Sequence, residues 1–391
     1  MSSRVRRNLI VFVVVPCVLC VAAYLVSIAS YSKYTRGTYE FFAFLLITDL
    51  AVGLRGAWRN AATVVAATIF GLAAIELASA AIEADQPLYP RGFAISRPVI
   101  GWGPSAPGVY HSRRMGSGGA VIYDVDYTID DHLLRRTLSG SAGPSVAFFG
   151  DSMMFGQGLA DSETLPQAYA DLTGRKIRVL NFGFPGYGPQ QFLRVLETGL
   201  FDPLLSDTKV FVYETAAWHG ERASCRDGFM ARAPRYELRD AEPVFVGACA
   251  EGLNRIFQDL FVSSAVFHRF VQPFVNIAKP ADLQIYIAQL RRSAELVKQK
   301  YGARLIVLYL SESDRYLAKS GFTDAMIMER LRQSGIELID ATLSPKEFPP
   351  GTLLTIPGDG HPTAIANRAR AALLKNYLAN SAASSTTSAV E

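Results

Sequence analysis

Long apolar runs open the chain, and an alternation of short strand-like and longer helix-like segments follows them. From Asn8 to Ser32 no residue is charged, which exceeds the roughly 20 apolar residues that a bilayer-spanning helix needs. A second run, Asn60 to Ile82, is broken only by Glu76. Between them, Phe41 to Leu54 contains Asp49 and is a weaker candidate. Arg4, Arg6 and Arg7 precede the first run, Arg55 and Arg59 flank a basic loop, and Glu83 and Asp85 follow the last run. Three spans satisfy these flanks under the positive-inside rule, although Lys33 and Arg36 count against it. The expectation is a multi-pass anchor over 1–83 in a bacterial inner membrane, with the rest of the chain outside the cytoplasm. Asp49 and Glu76 can each reach an interface, so snorkelling or local pairing accounts for them.

Beyond the anchor, 84–144 reads as a connector. It is rich in Pro and Gly from Pro87 to Pro107, and Val121 to Ile129 alternates in strand fashion as an extra edge strand. Strands are predicted at 145–149, 177–182, 209–214, 304–310 and 336–339, with helices near 163–173, 189–199, 281–301, 323–334 and 362–379. Short β-rich runs separated by helices predict an α/β fold with a parallel sheet, over 145–379. The interval 220–280 breaks the rhythm and is expected to form a cap beside the carboxyl edge of the sheet. The Ser/Thr/Ala-rich tail, 380–391, is expected to be disordered.

Composition supports this picture: half of the 391 residues are hydrophobic and only 19% are charged. The net charge of +4 is spread out, with no basic stripe interleaved with aromatics, so nucleic acid is not an expected partner. Cys17 and Cys20 fall within the first apolar run, as small hydrophobes. Cys225 and Cys249 lie in polar, irregular sequence. A disulfide between them would be worth about 3.5 kcal/mol in the chain-entropy model and would persist in an oxidising compartment. Two free thiols are the alternative.

Candidate chemistry starts at Phe148-Phe149-Gly150-Asp151-Ser152. Ser152 follows a buried-strand run, on the turn into a helix, where open α/β sheets place reacting groups. A serine nucleophile needs a base, a group that orients the base, and donors for the oxyanion. His361, in Gly358-Asp359-Gly360-His361-Pro362, lies after the last predicted strand, and Asp359 two residues earlier can hold its imidazole. Asn181 to Gly188, rich in glycine, follows the second strand and can aim a backbone N–H, that of Gly186, at a ligand. His111, His132 and His268 are isolated, and no metal, phosphate-loop or dinucleotide motif is present, so no cofactor is expected.

These blocks resemble the SGNH (GDSL-type) hydrolase family over about 120–379. The match runs through Gly150-Asp151-Ser152, the block ending in Gly186, and the Asp359/His361 pair. Gly156-Gln157-Gly158-Leu159 and Glu163-Thr164-Leu165-Pro166 also follow the serine as in many envelope-associated members. The resemblance implies a flavodoxin-like three-layer α/β/α sandwich. It also implies an acyl-enzyme on Ser152, His361 as base, Asp359 as orienter, and oxyanion donors at Ser152 and Gly186. Two departures stand out. The family's third block supplies an Asn donor, whereas this chain has Glu214-Thr215-Ala216-Ala217-Trp218-His219-Gly220-Glu221-Arg222. His219 or Arg222 is the substitute donor, and His219 is the preferred one. The Asp-x-His spacing is also one residue shorter than in most members, and is similar to that of SGNH-like exopolysaccharide O-acetyltransferases.

The sequence therefore points to a membrane-anchored, extracytoplasmic serine esterase or O-acyltransferase. Its expected substrate is an ester, and the favoured one is an O-acetyl group on a cell-envelope or exported glycan. Transfer would call for a membrane partner that supplies the acyl donor. The alternatives are a catalytically weakened SGNH domain that binds glycan or anchors an assembly, and a lipid esterase.

Overall fold

The computed structural model describes residues 10–29, 34–82, 89–90, 92–116, 119–275, 277–311 and 317–387. The charged flanks Arg4, Arg6, Arg7, Lys33, Glu83 and Asp85 lie outside the described residues. The chain divides into two compact units, Met1–Gln86 with Asp259–Val275, and Pro87–Gln258 with Asn276–Glu391.

The first unit contains α1 (Val15–Ala29), α2 (Thr35–Gly53) and α3 (Gly56–Ile82). Among the described residues only α3, with 27 residues, is long and apolar enough to cross a membrane; the apolar helix over Ile10–Ala23 is shorter. This is fewer than the three spans expected, because α2 carries Arg36, Glu40 and Asp49 along its length. Glu76 of α3 does not snorkel. Its carboxylate is buried and accepts from Ser264 Oγ at 2.8 Å, from the Ala265 N–H, and from the Val266 N–H at 3.4 Å. It thereby satisfies N–H groups that the start of a helical stretch leaves without partners. The aromatic-rich part of the interval expected to form a cap, 259–275, thus belongs with the N-terminal helices.

In the second unit, β1 (Ile95–Arg97) pairs antiparallel with β2 (Gly101–Gly103), and β3 (Gly108–Met115) with β4 (Val121–Ile129). The strand at 121–129 forms as expected but does not extend the main sheet. A single bridge, Arg135 to Asn181, connects the following chain to the sheet edge. The main sheet holds β5 (Ser145–Phe149), β6 (Arg178–Asn181), β7 (Thr208–Ala216), β10 (Arg304–Leu310) and β11 (Glu337–Asp340). Its spatial order is β11-β10-β7-β5-β6, all parallel, the 2-1-3-4-5 order of flavodoxin-like sheets.

Alternate residues of these strands feed two cores, since successive side chains leave opposite faces. Ala147, Phe149, Tyr213 and Val307 pack with α6 (Pro189–Thr198), α8 (Pro280–Tyr301) and α9 (Asp324–Gln333). Val146, Phe148, Val212 and Leu308 pack with α5 (Leu165–Leu172) and α10 (Ala364–Thr387). The result is a three-layer α/β/α sandwich. α4 (Ser152–Phe155) and α7 (His219–Ala223) are short helices at the carboxyl ends of β5 and β7. Part of the expected disordered tail is helical, because α10 runs on to Thr387; residues 388–391 lie outside the described set.

Within 220–258, the hairpin of β8 (Pro234–Arg239) and β9 (Glu242–Ala248) lies against helices of one sheet face, not over the carboxyl edge. The Arg194 guanidinium of α6 stacks 3.7 Å over the Phe245 ring, and Arg291 of α8 pairs with Glu242 at 2.5 Å. A turn of 3-10 helix at Gly228–Arg232 carries Phe229 close to Gly186. Cys225 and Cys249 form a disulfide with a Cα–Cα distance of 5.4 Å.

Candidate active site

Ser152 is the first residue of α4, separated from the β5 end at Phe149 by Gly150 and Asp151 alone. Asp151 caps this short helix, with Oδ1 accepting the Met153 N–H at 2.9 Å. The left-handed Gly156 closes it, its N–H bonding back to the Ser152 carbonyl at 3.1 Å. The strand end and these two caps set the serine at the sheet's carboxyl edge.

The loop 355–363 brings the other two predicted residues to the same place. Its ends pair, with Ile356 N–H donating to the His361 carbonyl at 2.7 Å and Asp359 N–H to the Ile356 carbonyl at 3.1 Å. His361 Nε2 lies 2.8 Å from Ser152 Oγ. On the other side of the ring, Nδ1 bonds Asp359 Oδ2, which also accepts the His361 backbone N–H at 3.3 Å. A carboxylate on Nδ1 selects the tautomer in which that nitrogen carries the proton, leaving Nε2 free to accept from the serine hydroxyl.

Arg114, on β3, was not singled out from sequence. Its Nη1 donates to Asp359 Oδ1. Burial by itself would raise the Asp359 pKa, but the hydrogen bond and charge of His361 and the Arg114 guanidinium outweigh it and lower the pKa. Nothing in the local pattern around Arg114 marks it, since its partner is 245 positions away.

The loop after β6 runs against α4. At Gly183 a side chain would begin 2.5 Å from the Phe155 nitrogen and 2.8 Å from the Met154 carbonyl carbon, so only glycine permits this approach. Gly186 adopts φ +82°, which glycine enters without a Cβ penalty, and it packs beside the Phe229 and Trp102 rings. Trp102 Nε1 donates to the Pro185 carbonyl at 3.0 Å, and the Tyr187 hydroxyl donates to the Trp102 carbonyl at 2.6 Å. Gly186 is thus held in a turn pinned by β2.

His219 is placed differently from its expected role as an oxyanion donor. It is buried beneath Ser152's neighbour: Nε2 lies 3.2 Å from Asp151 Oδ2, and Nδ1 lies 3.0 Å from both the Tyr213 and Thr215 hydroxyls. Burial lowers its pKa more than the Asp151 carboxylate raises it, which favours the neutral ring. A neutral imidazole has one N–H. The carboxylate, having no proton to give, takes it, so His219 has none left for an oxyanion.

Arg222, the other substitute, is also committed. Its Nη1 donates to Asp151 Oδ2 at 2.6 Å and to the Tyr187 carbonyl at 2.9 Å. Trp218 Nε1 adds a third donor to Asp151 Oδ2 at 3.2 Å. Burial would raise the Asp151 pKa, but the Arg222 charge, His219 and the Met153 N–H together hold it far below the usual carboxylate range. The segment after β7 therefore supports the turn that carries Ser152, and through Arg222 it ties that turn to the glycine loop. Polar residues at the end of β7 were the available signal, but their partner was not readable from spacing.

A buried cation braces the segment after Ser152. Arg135 donates from Nε to Asp161 at 2.8 Å and from Nη2 to the Leu159 carbonyl at 2.9 Å, and lies 4.4 Å over the Tyr127 ring. Among the described residues no cluster of His, Cys, Asp and Glu is arranged to hold a metal ion.

No family model matches the chain, and no curated protein matches it. Among solved structures, the chain is similar to a member of the lipolytic protein G-D-S-L family from Veillonella parvula DSM 2008. The identity is 14% and the TM-score 0.33, over 59% of this chain and 94% of that one. It is also similar to the lipase Lip_vut3 from a goat rumen metagenome, with 14% identity and a TM-score of 0.34 over 60% of this chain and 97% of that one.

Proposed function

We propose that the chain is a serine esterase or O-acyltransferase of the SGNH type, acting through an acyl-enzyme on Ser152. The observation that carries this reading is the continuous run of hydrogen bonds from Ser152 Oγ through the His361 ring to Asp359, at the carboxyl edge of the parallel sheet. In the first step Ser152 Oγ attacks the ester carbonyl while its proton passes to His361 Nε2. The tetrahedral adduct then expels the alcohol, which takes that proton, and leaves an acyl-serine. Attack by water, with the proton again passing through His361, releases the acid. Attack by a sugar hydroxyl instead forms a new ester. The backbone N–H groups of Ser152 and Gly186 are the proposed oxyanion donors.

The substrate we favour is an O-acetyl group on a cell-envelope or exported glycan, with α3 as membrane anchor and the sheet domain outside the cytoplasm. The Cys225–Cys249 disulfide supports an oxidising location. A transferase would need a membrane partner to deliver the acyl donor, because one or a few helices make no acyl conduit.

A second reading has one observation in its favour. With the N–H of His219 given to Asp151, no other side chain after β7 replaces the third oxyanion donor among the described residues, and loss of one such donor costs about 100-fold or more in rate. That fits a weakened domain that binds glycan or anchors an assembly. Incubation of the detergent-solubilised chain with a fluorophosphonate probe separates the two. Labelling that disappears in Ser152→Ala and falls strongly in His361→Ala is expected; an unlabelled wild-type chain would overturn the enzyme reading. Turnover of p-nitrophenyl acetate with and without oligosaccharide acceptors then distinguishes hydrolysis from transfer.

A further inference from the structure

We infer that Arg114 is a positioning residue for the Ser152–His361–Asp359 arrangement, fixing the Asp359 carboxylate from the side opposite the imidazole. The inference rests on the reading of Ser152 as nucleophile. Asp359 presents one oxygen to each partner: Oδ2 to the His361 ring and Oδ1 to Arg114 Nη1. With both oxygens engaged, the carboxylate cannot rotate away without breaking a charge-assisted bond, so the ring it orients is held as well.

Both partners are shielded. The Asp359 side chain is 0% exposed and that of Arg114 only 16%, so salt screens this pair far less than a surface pair. The strand that carries Arg114 is shaped for the contact. β3 pairs Arg114 with Tyr123 of β4, and the register slips between Arg114 and Met115. Such bulges re-aim side chains and occur near active sites. The catalytic loop lies against the same hairpin, with Ile122 Cδ1 3.2 Å from where a side chain at Gly358 would begin. The connector before the sheet thus contributes a working part of the site.

The groups that face Asp359 are His361, Arg114, and the phenols of Tyr89 and Tyr123. Both phenols have pKa values raised, chiefly by burial, and stay neutral through the working range. Among the described residues, Arg114 is therefore the cation that offsets the Asp359 charge from outside the triad. Without it, the carboxylate acts on the imidazole at full strength and favours the protonated ring. The acid limb of kcat/KM then moves to higher pH.

The test uses the full chain in detergent, with p-nitrophenyl acetate turnover and fluorophosphonate labelling followed across pH. Arg114→Met is expected to lower kcat/KM about 10- to 100-fold, by analogy with the loss of outer hydrogen-bond partners that orient metal-binding histidines, and to shift the acid limb upward. Arg114→Lys is expected to recover part of the rate and to return the limb toward its wild-type position. If Arg114→Met does not fold by circular dichroism, Arg114→Gln keeps a donor without the charge and should show the same shifted limb. Wild-type rates in a folded variant, or a uniform loss with the limb unmoved, would overturn the proposal and leave Arg114 a packing residue. Failure of the wild-type chain to label at Ser152 would instead overturn the parent reading.

Discussion

Asp151 receives more donors than Ser152 does, and that asymmetry says how the candidate nucleophile is held. Its carboxylate collects the Met153 N–H, the Trp218 indole, the His219 ring and the Arg222 guanidinium. Removing one partner of a buried charge pair typically costs about 3–5 kcal/mol, since the other charge is left uncompensated. His219→Gln retains an amide donor where Nε2 stood and is expected to label with fluorophosphonate at close to the wild-type rate. His219→Ala leaves buried acceptors unmet, with an expected loss of about 1–3 kcal/mol by urea unfolding. Abolished labelling in a His219→Gln chain of unchanged stability would revive a direct oxyanion role. The two depressed carboxylates, Asp151 and Asp359, also set an acid limit. Their folded pKa values lie below the unfolded value of about 3.9, so their contribution is complete above about pH 4–5 and fades as pH falls through the folded values. Thermal melts between pH 7 and pH 2 should show a progressive loss that Asp151→Asn and Asp359→Asn reduce.

Among elements, the strand and helix positions of the sheet domain were legible because their signals are local. β5 is a run of five buried residues, and α6 and α8 end at Gly199 and Gly302 in left-handed conformation. Such caps stop a helix whatever surrounds it. The 121–129 strand was equally legible, yet its partner was not: alternation specifies a strand but not which edge it pairs with. The interval after β7 was the hardest, because its short 3-10 turn and hairpin are held by long-range contacts and by the Cys225–Cys249 bond. Reducing that bond is expected to lower stability by up to about 3.5 kcal/mol, read as a shift in urea midpoint with and without reductant. Because Phe229 lies between the two cysteines and Arg222 only three residues before the first, reduction should also slow Ser152 labelling more than it alters far-ultraviolet dichroism. An unchanged midpoint would mean that the loop is held without the bond.

At the scale of the whole molecule, two units share the chain discontinuously. The first unit takes back 259–275 from the middle of the second unit's sequence, and buried Glu76 receives that segment through Ser264, Ala265 and Val266. An acid in an apolar run invites a snorkelling account, but a buried carboxylate that accepts from helix-start N–H groups is stabilised where it stands.

The sequence by itself determined the order of elements, the parallel α/β class, and a serine at a strand end with an Asp–His loop downstream. Each of these follows from local periodicity, caps and the spacing of a few residues. Tertiary structure alone decided that His219 serves Asp151, that Arg114 reaches Asp359, and that Glu76 meets Ser264. Those partners stand 68, 245 and 188 positions apart. At such separations, pairing depends on how packed layers bring buried charge to its counter-charge, and no periodicity along the chain encodes it.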